Sequence, residues 1–167
     1  GIVMALNSYD GQVYAFAKGP SSTTVTAPQT QVTLGEKVMI TGSVLDQTPA
    51  QAGTAAISDA DMGLWMEYLH MQKEAPAMAS GVEVVVDVVD ANGNYYNIGT
   101  TTSTSSGFYG LEFTPEIPGM YYIYATFAGS KSYGSSYAET AMTVVDAPAP
   151  TPEPTPTPAP MTDTYIA

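Results

Sequence analysis

The chain has no cysteine and no arginine, and it carries a single histidine. Without cysteine there is no disulfide framework, no thiolate metal site and no thiol nucleophile, and thiol usage says nothing about the redox compartment. Without arginine the chain lacks the planar fork that clamps phosphates and carboxylates. Cations are scarce as well: 4 lysines stand against 16 acidic residues, a formal net charge of -12. Such a balance repels nucleic-acid phosphate and anionic lipid, so no nucleic-acid partner is expected. No stretch approaches the roughly 18 apolar residues of a membrane span, and the first residues lack a basic segment followed by an apolar run. Contact with a membrane is therefore expected only through an anchor beyond Ala167.

What the chain has in plenty is short alternating runs separated by Gly, Pro, Ser and Asn. At 167 residues it is long enough for one domain with a real core plus appendages. The segment Gln31 to Leu45 places Val38, Ile40 and Val44 on one face and Lys37, Thr41 and Ser43 on the other, the period of a half-buried antiparallel strand. Val82, Val84, Val86 and Val88 alternate in the same way with Glu83, Val85, Asp87 and Val89. An Asn-Gly turn follows at Asp90 to Asn94. Tyr109, Leu111 and Phe113 form a further face, as do Tyr121, Ile123, Ala125 and Phe127, and Ala138 to Val145 closes the series. About seven strands with such turns predict an all-β fold, an immunoglobulin-like antiparallel β-sandwich spanning 20–146.

Three segments fall outside that pattern. Residues 1–19 hold "SYDGQVYAFA", in which Asp10-Gly11 between apolar alternations predicts a hairpin with a type I′ turn. An isolated hairpin is marginal in water, so Ile2, Met4, Leu6, Val13, Tyr14 and Phe16 are expected to meet another sheet. Residues 58–73 predict a helical insert: Ser58 as N-cap, Asp59 and Asp61 in the first turn, then Met62, Trp65, Met66 and Leu69 at helical spacing. A second apolar stripe of Leu64, Tyr68 and Met71 predicts that Trp65, Met66 and their neighbours also face another domain or subunit. Residues 147–167 alternate proline with Thr and Ala, which predicts an extended polyproline stalk.

Candidate chemistry is sparse. Glu67 and His70 have the i, i+3 spacing of one half of a carboxylate-bridged di-metal site, and the second pair such a site needs is missing. Asp90, Asn92 and Asn94 imitate the start of a calcium loop, but its Gly and Glu positions hold Tyr95 and Thr101. No cofactor or metal is expected; these three residues, or scattered surface carboxylates elsewhere, stand as weak calcium candidates. No Ser/His/Asp constellation or nucleophile elbow is present, so the chain is not read as an enzyme. Tyr122 and Tyr124, opposite Ile123 and Phe127, are read as contact residues, because tyrosine buries much area at low entropic cost. A carbohydrate-binding sandwich, with Trp65 and surface tyrosines stacking on sugars, is a third class, set behind the others because no strand carries a row of exposed aromatics and Trp65 also suits the core of the helix.

From Thr24 to Val145 the sequence resembles immunoglobulin-like domains of bacterial and archaeal surface proteins. The likeness rests on "VTLGEKVMITGSV", "GVEVVVDVVDANGNYYNIGTTTSTSSGFYGLEFTP" and "PGMYYIYATFAGSKSYGSSYAETAMTV". The helical insert between the second and third strands departs from it. "SYDGQVYAFA" is similar to the end of a repeat of pyrroloquinoline-quinone-enzyme-like β-propellers, and no cofactor comes with one hairpin. Together these resemblances imply an extracellular cell-surface protein of archaeal type, in which a propeller precedes the sandwich and a stalk follows. Two tasks are carried forward: a non-catalytic structural or adhesion module on a stalk, or a self-assembling filament subunit whose residues Ile2 to Phe16 add a strand to a neighbour. In both, the partners are other protein domains or further copies of the chain.

Overall fold

Alternation of β-branched and aromatic residues with polar ones sets nearly every strand of the computed structural model, which describes residues 2–149. Beyond Ala149 the expected stalk lies outside the described residues. In chain order the elements are β1 (Val3–Asn7), β2 (Gln12–Phe16), β3 (Ser21–Thr26), β4 (Val32–Thr33), β5 (Val38–Asp46), α1 (Met62–Met71), β6 (Glu83–Val89), β7 (Tyr95–Thr102), β8 (Phe108–Phe113), β9 (Gly119–Phe127) and β10 (Ser136–Val145). They form a two-stranded ribbon β1-β2, a five-stranded sheet β4-β10-β9-β6-β7 and a three-stranded sheet β3-β5-β8. The two larger sheets make an immunoglobulin-like sandwich, with β3, β5 and β8 in the places of strands A, B and E and β6, β9 and β10 in those of C, F and G.

The core lies between the sheets. Ile40, Val44, Val84, Val86, Val88, Tyr121 and Ile123 are fully buried there. At the corner before β9 the Tyr121 hydroxyl donates to the Ile117 carbonyl at 3.1 Å and accepts from the Ile117 amide at 3.2 Å. This is the tyrosine corner of immunoglobulin-like folds, and it ties the turn to the core. On the facing sheet Tyr109 pairs with Gly42, crosses over it and donates its hydroxyl to the Thr24 carbonyl at 2.6 Å. Burial pushes the Tyr109 phenol up to about 12.

Long-range pairing overrides the local pattern in several places. Gln31 to Leu45 is two strands in different sheets: β4 pairs parallel with β10, Gly35 turns the chain at φ 81°, and only β5 joins the three-stranded sheet. Within β5, Ser43 is buried rather than exposed, because its side chain and amide both bond to Thr24 Oγ1. The ribbon's turn is a four-residue loop in which only Gly11 has positive φ, so it is not type I′. The Gly11 amide closes on the Asn7 carbonyl at 2.9 Å, and Asp10 accepts from the Gln12 amide and the Tyr14 hydroxyl. Side-chain acceptors thus do the work that a second left-handed residue does in the shorter turn.

The helical insert starts later than 58. Ser58 and Asp61 cap each other across a separate turn, and the Asp61 carboxylate is drawn sideways to the Ser80 amide and hydroxyl. Asp61 becomes the N-cap, the helix begins at Met62, and no acidic residue stands in its first turn. It ends on Gln72 in the left-handed conformation. Asp59, expected in that turn, instead binds the Lys131 and Ser132 amides of the β9–β10 loop and so fastens the insert to one end of the sandwich.

Candidate interaction surfaces

The ribbon β1-β2 carries apolar side chains on both faces. Its register places Val3 opposite Phe16 and Ala5 opposite Tyr14 on one side, with Met4 opposite Ala15 and Leu6 opposite Val13 on the other. Ile2, Met4 and Leu6 are each 70% exposed, and Val3, Val13, Tyr14 and Phe16 are exposed too. A sheet face in water is ordinarily polar, and strands apolar on both sides belong to sheets covered on both sides. Neither face is covered by any described residue to the extent its composition requires. The ribbon ends at Phe16, and by Gly19 the chain is tied to the sandwich through backbone bonds to Ser132 and Gly134.

Between the ribbon's end and the insert lies a cavity of 450 Å³ whose lining includes Phe16, Met62, Met66 and His70. It brings together two of the predicted contact residues, Phe16 and Met66. Its polar side is a relay: the fully buried Asp46 accepts from the Thr48 amide at 2.7 Å and from Gln51 Nε2, and Gln51 Oε1 faces His70 Nε2 at 3.2 Å. Trp65 does not face this space. It is 7% exposed and packs with Ala55, Ile57 and Ala79 as the insert's own small core, so it leaves the set of contact residues. Leu64, Tyr68 and Met71 form the insert's exposed crest.

A third surface is the outer face of the five-stranded sheet. Strand pairing aligns Tyr95, Val89, Tyr122 and Ala141 in one row across four strands, and Asn97, Asp87, Tyr124 and Glu139 in the next. Tyr137 and Met120 flank these rows on β10 and β9. Tyr95 is 65% exposed, Tyr122 48% and Tyr137 72%, and Tyr124 is half-buried. Asp87, though on this outer face, is nearly buried beneath its neighbours and accepts from Asn97 Nδ2 at 2.8 Å. Interaction with that carboxylate raises the Tyr95 phenol above its ordinary value. Sequence reading sought aromatics along single strands and missed this arrangement, which exists only once β7, β6 and β9 are side by side.

The remaining candidates form no converging site. The Asp90 carboxylate accepts from the Asn92 and Asn94 amides and from Asn94 Nδ2, each at 2.9 Å, and the Asn94 side chain foremost holds its pKa down. Those bonds build the β6–β7 turn and occupy oxygens that a cation would need. His70 turns to Gln51 rather than to Glu67. Among the described residues no three His, Cys, Asp or Glu side chains converge. No helix there is long and apolar enough to cross a membrane.

Comparison with known proteins assigns these surfaces no task. No protein-family model matches the chain, and no curated protein matches it. Among solved structures, the CARDB domain of the PF1109 protein from Pyrococcus furiosus, in complex with di-metal ions, is similar at 18% identity and TM-score 0.40, covering 78% of this chain and 91% of that one. A β-glucosidase from Listeria innocua matches at 10% identity and TM-score 0.42, over 80% of this chain and 16% of the enzyme. BslA, a bacterial hydrophobin, matches at 11% identity and TM-score 0.35, over 79% of this chain and 98% of that one.

Proposed function

We propose that the chain is a non-catalytic, immunoglobulin-like structural module of an extracellular cell-surface protein. Its N-terminal ribbon belongs to a sheet completed by another protein domain. The observation that carries this reading is the ribbon itself, two hydrogen-bonded strands with large apolar side chains exposed on both faces. Fully burying one such side chain is worth about 1.5–3 kcal/mol. Exposed together they are a standing demand for cover on two sides, as a strand pair has inside stacked sheets such as the blades of a propeller. A strand donor that completes a single sandwich needs one apolar face only, which makes the filament-subunit reading the second choice. The acidic charge and the Pro/Thr-rich segment 147–167 support display away from nucleic acid and anionic membrane.

Light scattering over a wide concentration range, on the full chain and on one lacking residues 1–17, tests the reading. A discrete oligomer that disappears on truncation would replace it with the strand-donating subunit. Monomers in both cases, with unchanged melting of the truncated chain, leave the ribbon to a separate domain. Melting far below that of the full chain would make the ribbon part of this sandwich and overturn both readings.

A further inference from the structure

The outer face of the five-stranded sheet is independent of the ribbon and points to a ligand of its own. We propose that it is a binding platform for a neutral polysaccharide chain. Tyr95 and Tyr122 share a row with one strand between them, which at a strand spacing of about 4.8 Å sets their backbones about 10 Å apart. Both side chains are open to solvent, and that separation suits two rings of an extended sugar chain lying flat. The C–H faces of sugar rings carry slight positive charge and rest on the negative face of an aromatic ring. Beside this row the exposed Asn97 amide and Glu139 offer hydrogen-bonding groups to ring hydroxyls, and the nearly buried Asp87 carboxylate holds the Asn97 amide in place at 2.8 Å.

Charge decides among occupants. The two rows contain carboxylates and no cation, and the whole chain carries -12. An acidic polymer is repelled. A second copy stacked on the same face would set Glu139 against the same acidic face of another -12 chain, a like-charge arrangement that opposes docking. A neutral, hydroxyl-rich chain meets no such repulsion and donates hydrogen bonds to the Glu139 carboxylate.

Native affinity electrophoresis of the full chain through gels containing hydroxyethyl cellulose, galactomannan or dextran reads the interaction directly. Retardation by at least one polymer is expected, with its apparent association constant falling about fivefold in Tyr122→Ala and in Tyr95→Ala. Met39→Ala, on the outer face of the other sheet, is expected to migrate as the parent does. Tyr95 lies on the edge strand, so Tyr95→Ala keeps the test usable if Tyr122→Ala fails to fold. Mobility unchanged by all three polymers, or retardation that ignores both tyrosine substitutions, overturns the proposal. So does sedimentation showing that the parent self-associates through the same two tyrosines, which would make a second copy the occupant.

Discussion

The two sheets of the sandwich share one core and differ in what they show the solvent. The three-stranded sheet turns out a strip of hydroxyls, Thr24, Thr26 and Thr41, with Met39 and Phe108 as its exposed apolar side chains. The five-stranded sheet turns out tyrosines around a nearly buried aspartate. Inward, each sheet solves the same packing problem with one tyrosine whose hydroxyl bonds to the backbone, Tyr109 on one and Tyr121 on the other. The inner faces are thus set by folding, whereas the outer tyrosines contribute little to it and need another reason to be there.

That contrast is open to direct attack. The largest effect is expected at Gly42, where a Cβ would collide with the Thr24 carbonyl and the Tyr109 hydroxyl. Gly42→Ala should destabilise the chain by about 3 kcal/mol, the sum of overpacking and a lost buried hydrogen bond, as read from urea unfolding. Tyr121→Phe should cost about 2 kcal/mol by the same measurement, because the Ile117 amide and carbonyl both lose their partner in the tyrosine corner. Tyr122→Ala should cost only about 0.5 kcal/mol, the scale of one cross-strand pair. A loss as large as that at Tyr121 would mean that the outer face belongs to folding after all.

A smaller effect is expected from acid. Asp10, Asp59, Asp61 and Asp90 are each held below the carboxylate value of 3.8, chiefly by Tyr14, the Lys131 amide, the Ser80 amide and the Asn94 side chain respectively. Their contribution is present above the unfolded value and lost as the pH falls below about 4 through the lower folded values. All four sit in turns and loops and stand in water. Lowering the pH from neutral to about 3 should therefore loosen the insert and the turns first, visible as faster amide exchange at Lys131, Ser132 and Ser80 before the strands respond.

How much of this was legible in the sequence follows from which contacts are local. The alternation of Val82 to Val88, the hairpin around Asp10-Gly11 and the existence of the helix are local patterns, and each is present. The helix start was misread because Asp61 bonds to Ser80, 19 positions away, and not to its own first turn. The break at Gly35 was hidden because β4 draws its partner from β10, more than a hundred residues on. Of the surfaces, the ribbon's apolar residues could be named from spacing alone. The tyrosine row could not, since Tyr95, Val89 and Tyr122 become neighbours only through pairing, and Asp87 is an outward-facing residue that its neighbours cover.

The parallel pairing of β4 with β10 bears on mechanics. Val32 lies beside Val144 and Thr33 beside Val145, and the Leu34 amide bonds to the Val145 carbonyl at 2.8 Å. Tension that arrives from the N-terminal side and leaves after Val145 pulls these two strands in opposite directions along their length. Their hydrogen bonds then share the load in shear instead of opening one after another like a zipper. Pulled from its two ends, the sandwich resists being stretched through this one short strand.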